Sequence, residues 1–471
     1  MYSIDQNTIV RGGYGMYWAP WNYPIPDSSA NNYGQVGYAQ NTISPQSLPA
    51  SGGTPAVSIT NPFPNGLVQP LGSSLGSLTG VGTNISYVDQ NGTAPRVQQF
   101  SVDFQRELPG AQAVTVSYVG SRGDNLSLGG SNDAGVNINQ LDPKYMALGA
   151  ALTATVANPF FGITSAGPFA NSATISRQQL LRPYPQFGNI LARHVLEGKS
   201  RYNAAVFEWS KRVTHGWGGR VSYTYSVLKD NQVMEGNFYS AGGFNPLNNY
   251  NYIASAPACT STNLAACYNP DADYTYSILD VPHRVILAPV AELPFGRGKK
   301  WGSNSSLAEW LAGGWTLSAA INLQAGFPLE VQQSDNTGTL SAVQRPNIVP
   351  GADLSTPGSF EDRLASADHP TATWINPAAF TAAPAFTFGN APRTITDVRT
   401  PPQYNVDAVF IKNLRFGTQN AQIKFEMLNL MNRVQVRALQ GNNTFGNSSF
   451  GRTQLQAGFM RITQIMFRYS F

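Results

Sequence analysis

From Thr8 to Trp18 the chain alternates. Val10, Tyr14, Met16 and Trp18 share one side of an extended strand, opposite Arg11, Gly13, Gly15 and Tyr17. Successive side chains of a strand point to opposite faces, so this period of two predicts one apolar face and one polar or small face. The pattern recurs along the chain. Arg96 to Arg106 sets Phe100, Val102 and Phe104 against Gln99, Ser101 and Asp103, and beyond a turn at Glu107 to Gly110 the chain returns through Val114, Val116 and Tyr118, opposite Thr115 and Ser117. Arg201 to Arg212 carries Ala205, Phe207 and Trp209 against Glu208 and Ser210. A turn at Thr214 to Gly216 then leads into Val221, Tyr223, Tyr225 and Val227, opposite Arg220, Ser222, Thr224 and Ser226. That pair is the cleanest predicted hairpin.

Pro282 to Leu293 reads as a strand weakened at Pro289, which cannot donate to a ladder. A helix-like patch near Leu307 to Leu311 interrupts the following turn. Trp315, Leu317, Ala319, Ile321 and Leu323 then alternate with Thr316, Ser318, Ala320, Asn322 and Gln324. Tyr404 to Leu414 is a strand with Asp407 inward, and Ala421, Ile423, Phe425 and Met427 return against Gln422, Lys424 and Glu426. In the last eleven residues Thr463, Ile465, Phe467, Tyr469 and Phe471 share a face, opposite Gln464, Arg468 and Ser470. That stretch matches the roughly 9–11 residues a tilted strand needs to cross a bilayer.

Short turns follow the second, fourth, sixth and eighth of these ten strands. Long, weakly patterned stretches at Ala19 to Pro95, Ser121 to Ser200, Lys229 to Asp280, Gly326 to Pro402 and Asn432 to Gly458 separate the others. Within the second of these, Gly188 to Glu197 reads as an extended piece that could form a hairpin above the sheet. Loops beyond about 15 residues are uncommon in compact soluble domains. Strict alternation of short and long connections is the form of an outer-membrane barrel, with short periplasmic turns and long extracellular loops. Every backbone N–H and C=O in hydrocarbon must pair laterally, which a closed sheet provides. The expected fold is therefore all-β: an antiparallel transmembrane β-barrel portion of about ten to twelve strands, whose last strand runs towards the periplasm.

Composition sharpens this. Only 12% of the 471 residues are charged, against about 25% in average globular chains, so the surface is poor in charge. Forty-five glycines and 32 prolines favour strands and turns over helices. Thirty Lys and Arg against 26 Asp and Glu leave too small an excess, without a basic run, to argue for nucleic acid. There is no apolar run long enough for a membrane helix, and Met1 to Asp5 lacks the basic and apolar regions of a signal peptide. Neither Cys259 nor Cys267 sits in a CxxC pair or beside a histidine, which argues against metal binding, and a small local disulfide in an oxidising compartment is favoured over free thiols.

Catalytic chemistry finds little support. His194, His215, His283 and His369 share no ligand spacing, and solvent or structural roles outweigh metal binding. Gly12-Gly13-x-Gly15 looks like a phosphate loop but lies inside a strand pattern with no helix after it, so close strand packing is the better reading. Asn269-Pro-Asp-Ala-Asp273 offers oxygens to Ca²⁺, yet one short acidic patch more often caps a turn. No cofactor and no enzyme activity are expected. Tyr14, Trp18, Tyr223, Tyr225, Phe467, Tyr469 and Phe471 fit an outward band with interfacial girdles better than stacking platforms. Inward Glu208, Arg220, Asp407, Lys424, Glu426 and Arg468 would line a polar lumen and could guide a ligand.

Several segments resemble the Oar-like TonB-dependent outer-membrane receptors. They are Val10-Arg-Gly-Gly-Tyr-Gly15, Gln98-Gln-Phe-Ser-Val-Asp-Phe-Gln-Arg106 and Val116-Ser-Tyr-Val-Gly-Ser-Arg-Gly123, then Tyr202-Asn-Ala204 with Lys211-Arg212 and Asp280-Val-Pro-His-Arg284. Glu292-Leu-Pro-Phe-Gly-Arg-Gly298, Gly314-Trp315, Gly326-Phe-Pro328, Phe425-Glu-Met-Leu-Asn-Leu-Met-Asn432 and the aromatic terminus complete the series in family order. The resemblance implies a barrel of about 22 strands around an amino-terminal plug, energised through the TonB complex. This chain has fewer than half those strands and neither plug nor TonB box. It is expected to be the carboxy-terminal part of such a receptor, with outer-membrane lipid, the barrel assembly machinery and an unidentified ligand as partners, and to reach TonB only through the missing plug. Phe471, with Tyr469 and Phe467, resembles the terminal signal read by that machinery. Two other readings stay open: a self-contained small pore or adhesion barrel, and a soluble extracellular all-β binding protein.

Overall fold

The computed structural model describes residues 1–19, 37–38, 42, 58–88, 93–126, 136–193, 195–231, 274–296, 299–301, 306–334, 345–387, 389–416, 418–436, 442–453, 456 and 458–471. One antiparallel sheet organises them. In chain order its strands are β1 (Tyr2–Asp5), β2 (Thr8–Trp18), β3 (Arg96–Leu108), β4 (Gln112–Leu126), β5 (Gly198–Thr214), β6 (Trp217–Asp230), β7 (His283–Glu292), β8 (Trp315–Gln324), β9 (Gln403–Phe416), β10 (Gln419–Leu428) and β11 (Ile462–Ser470). Each pairs with its sequence neighbours, and the two-residue strand Thr275–Tyr276 adds to β6. All ten strands expected from the alternation are present. The additional β1 is only four residues long, too short to show a period.

The turns close where local chemistry permits. β5 and β6 join through His215 and Gly216, both at positive φ (56° and 82°), the two-residue hairpin whose twist matches the flanking strands. β3 and β4 join through Pro109, Gly110 and Ala111, again with positive φ at Gly110 and Ala111. A seven-residue helix, Ser306–Ala312, sits between β7 and β8, at the predicted helical patch. These turns and the β1–β2 turn all lie along one end of the sheet, and the long connections leave from the other.

Several strands outrun their sequence pattern at that long-loop end. β4 continues to Leu126 and β6 to Asp230, so Arg122 and Lys229 belong to strands and not to the expected loops. The Gly188 to Glu197 segment does not form a hairpin. Ile190–Arg193 instead pairs in parallel with Ile85–Val88 and antiparallel with Val136–Asn137. The Asn137 side chain fixes this arrangement by accepting from the N–H groups of Asn139 (3.0 Å) and Ile190 (3.1 Å). Its partners arrive from distant connections, which no local turn signal announces.

The apolar core lies in the loops. Leu329, Val331, Leu354, Trp374, Ile375, Phe380, Ile395 and Val398 pack with Phe450, so the β8–β9 and β10–β11 connections share one interior. Phe380, Phe445 and Phe450 meet edge-on or tilted at centroid distances of 5.4–6.3 Å, a favourable arrangement of ring quadrupoles. A smaller cluster of Leu141, Met146 and Leu152 forms in the β4–β5 connection, with Phe386 of the β8–β9 connection packed against it.

Candidate functional site

Directly opposed residues of antiparallel strands project to the same side of a sheet. Following the register from β2 to β11 therefore sorts every strand into the same two faces. On one lie Tyr14, Phe100 and Phe104, Val116 and Tyr118, Phe207 and Trp209, Val221 and Tyr223, Val285 and Leu287, Leu317 and Ile321, Phe410, Phe425, and Phe467. Tyr14, Val102, Phe104, Val116, Tyr118, Phe207, Tyr223, Tyr225, Ile465 and Phe467 are all exposed there. A continuous exposed apolar face this broad exceeds what soluble monomers show and suits a hydrocarbon solvent.

The other face is polar. It carries Arg11 and Asp103 opposite one another, Gln99, Thr115, Glu208, Arg220, Ser222, Arg284, Asn322, Asp407, Lys424, Glu426, Gln464 and Arg468. All six residues expected on an inward wall thus share one side, but they do not converge. Glu208 pairs with Arg220 and Lys424 with Glu426, so the wall neutralises much of its own charge. Asp407 accepts the Asn429 N–H at 2.8 Å and anchors the start of the β10–β11 connection. Arg468 stands opposite Gln422 two strands away from Asp407.

At the long-loop end the β8–β9 connection is clamped to the sheet by two ion pairs, one buried and one part-buried. Arg393 donates to the Asp230 carboxylate at 2.6 Å and to its carbonyl at 2.7 Å, with both side chains almost fully buried. Arg399 donates to Asp280 at 2.8 Å, while the second Asp280 oxygen accepts the Leu228 N–H at 2.7 Å. By register Asp230 lies with Ser200 and Ser222 on the polar side, so the loop body meets the sheet on that side. Sequence reading missed this clamp, because Arg393 and Asp230 are far apart and lie in stretches without a period.

The short-turn end is trimmed differently. Lys211 and Lys412 lie on the apolar face, each beside a tryptophan: the Lys211 ammonium is 4.2 Å from the Trp217 ring centroid and that of Lys412 is 5.6 Å from Trp315. Lys211 donates to the Trp217 carbonyl at 2.9 Å and the Thr214 hydroxyl at 2.7 Å, and Lys412 donates to the Gly313 and Glu309 carbonyls. The apolar stems cover the band while the charges reach back to the turns, as snorkelling side chains do at a membrane boundary.

The remaining candidates are scattered. His215 forms a turn, and His283 stacks on Tyr223, with its Nδ1 2.9 Å from the Tyr223 hydroxyl, and lies tilted against Tyr225. His369 lies 4.0 Å from Asp362. His194, Cys259, Cys267 and the Asp271 and Asp273 carboxylates lie outside the described residues. Among the described residues no group of three His, Cys, Asp or Glu side chains could hold a metal ion. Gly12, Gly13 and Gly15 stand inside β2. Phe471 is fully exposed, its ring 6.0 Å from that of Tyr469, whose hydroxyl donates to Gln419 Oε1 at 2.5 Å.

No curated protein matches the chain. Among solved structures it is similar to Pseudomonas aeruginosa FpvA bound to heterologous pyoverdines, at 9% identity and a TM-score of 0.35, covering 100% of this chain and 32% of that one. The outer membrane transporter YddB from Escherichia coli is similar at 8% identity and a TM-score of 0.35, covering 82% of this chain and 34% of that one. The FpvAI–pyocin S2 complex is similar at 8% identity, with the same TM-score, covering 100% of this chain and 32% of that one. The chain thus spans about a third of the length of these structures, and likenesses at such TM-scores carry no fold assignment. The decisive match is to the outer membrane beta barrel domain family over residues 1–464. By that match the chain belongs to the outer membrane beta barrel domain family, a protein of the outer membrane.

Proposed function

We propose that this chain forms part of the barrel wall of a larger Oar-like TonB-dependent receptor, one that takes up a ligand across the outer membrane. The observation that carries the reading is the open sheet. Among the described residues the strand path begins at β1 and ends at β11, and no pairing joins the two. Unpaired edges are unfavourable in hydrocarbon, where each orphaned backbone group costs several kcal/mol. Further strands from the rest of a longer polypeptide would satisfy both edges. The motifs from Val10 to the aromatic terminus supply the receptor class.

In this reading the apolar face meets lipid and the polar face lines the lumen. The long connections stand outside the cell, where the body around Trp374 and Phe380 forms the surface a ligand meets first. Because Glu208 with Arg220 and Lys424 with Glu426 cancel along the wall, ligand selection falls to the loops and not to the strands. The plug, and through it the TonB complex, is contributed by sequence outside this chain. A self-contained barrel would need β1 to pair with β11, and a soluble sandwich would need a second sheet over the apolar face. The test is the DNA upstream of Met1. The reading predicts an open frame continuing into a plug and further strands; an in-frame stop codon ending an unrelated gene would contradict it.

A further inference from the structure

Register brings together three cations that are distant in sequence. Arg122 of β4 lies opposite Arg201 of β5, and Arg201 lies opposite Lys229 of β6, all on the apolar face. The row continues at the same level to Gln98 on one side and Tyr276 on the other. One step further along β3, Arg96 stands opposite Asp124. Adjacent strands are about 4.8 Å apart, and like charges directly opposite one another destabilise a sheet unless something answers them.

Asp124 answers only in part. It accepts from Arg201 at 2.8 Å on one oxygen and from Arg96 at 3.2 Å on the other, while the second terminal nitrogen of Arg201 donates to the Gly123 and Ser200 carbonyls, each at 2.9 Å. Arg122 lies 5.8 Å from the Phe100 ring centroid and Lys229 lies 4.8 Å from that of Tyr276; among the described residues neither enters an ion pair. One carboxylate therefore stands among four cations and pairs with only two of them. Arg122 is exposed, and the Arg96 and Arg201 side chains are about a third exposed. Below the row come Tyr118, Phe207 and Tyr225, the apolar band itself. From Lys211, at the short-turn boundary, to Arg201 is ten residues, about 33 Å along a strand and about 25 Å of height at a tilt of about 40°, close to the height of an outer-membrane apolar band. The row thus stands at the upper edge of the hydrocarbon, at headgroup level.

We infer that Arg122 and Lys229, which flank the Asp124-bound Arg201, bind the phosphate groups of a diphosphorylated glycolipid headgroup in the outer leaflet. Arginine offers paired donors that match phosphate oxygens, and lysine adds a point charge. The acyl chains of the same molecule would lie over Phe207 and Tyr225. The inference rests on the proposed lipid-facing side of the sheet.

The test uses the protein purified from outer membranes in detergent, with binding of added diphosphoryl lipid A followed by native mass spectrometry. Each cation near an anionic lipid surface is worth roughly fivefold, so Arg122→Gln with Lys229→Gln should weaken binding about 25-fold. Arg468→Gln, on the opposite face, should leave it unchanged. Equal binding by the double variant, equal binding of fully dephosphorylated lipid A, or binding of inorganic phosphate alone as tight as that of the lipid would each overturn the inference. A fluorophore at Phe207→Cys, with Cys259 and Cys267 replaced by serine, separates the two claims. Quenching by brominated-chain phospholipid with unchanged lipid A affinity in the double variant defeats the glycolipid site alone. Absence of quenching defeats the lipid-facing reading beneath it.

Discussion

The Asp230–Arg393 pair shows how one residue decides the position of a whole loop. Both partners are nearly inaccessible, with side-chain exposures of 8% and 1%. Removing one leaves the other charge buried without its partner, which costs about 3–5 kcal/mol. Arg393→Ala should therefore release the β8–β9 connection: amides from Phe327 to Arg399 should exchange with solvent faster while those of β5 and β6 stay protected. Gly216 makes a second residue-scale case, at the hairpin between β5 and β6. Its φ of 82° is open to glycine and strained for a β-branched side chain. Gly216→Val should cost about 1–2 kcal/mol, seen as a lower denaturant midpoint of the folded protein in detergent. Neither residue stood out in the sequence as more than a loop arginine and a turn glycine.

At the scale of elements, the alternation made ten strands legible because hydrocarbon on one side and water on the other impose a period of two. The period fades where strands leave the membrane and both faces become polar. That is why Arg122 and Lys229 read as loop residues, and why the cationic row was invisible until register aligned it. The loop core was illegible for another reason. Leu329, Trp374, Phe380 and Phe450 come from two separate connections and follow no period, so only the fold unites them. Phe207 sits mid-band on β5, and Phe207→Arg should destabilise the folded barrel by about 2–4 kcal/mol, measured by reversible unfolding in lipid vesicles. Arginine at Ser222, on the opposite face, should cost far less. In β11 the exposed Phe471 follows the last paired residue, so its role is not packing within the sheet. Deleting Phe471 from the proposed receptor should reduce the amount assembled in the outer membrane, assayed by heat-modifiable gel mobility, more than it reduces ligand binding by the molecules that do assemble.

For the whole molecule, the account joins a family membership to a physical division of labour. In the proposed reading one face of an eleven-strand path is solvated by lipid and the other lines a polar lumen, while the loops carry their own core at one end. On the same reading the open edges take their neighbours from a longer polypeptide: cysteines placed on β1 and β11 should not cross-link within this chain, whereas a closed small barrel would join them readily. The most direct measurement of the central claim labels one residue on each of ten strands in turn. One set is Tyr14, Phe104, Val116, Phe207, Tyr223, Leu287, Ile321, Phe410, Phe425 and Phe467; the other is the residue following each. Spin labels in reconstituted protein report access to oxygen in the bilayer and to a water-soluble nickel chelate. The account predicts that every label of the first set favours oxygen and every label of the second favours the chelate. The same preference in both sets, or a reversal between strands, would contradict a single lipid-facing side.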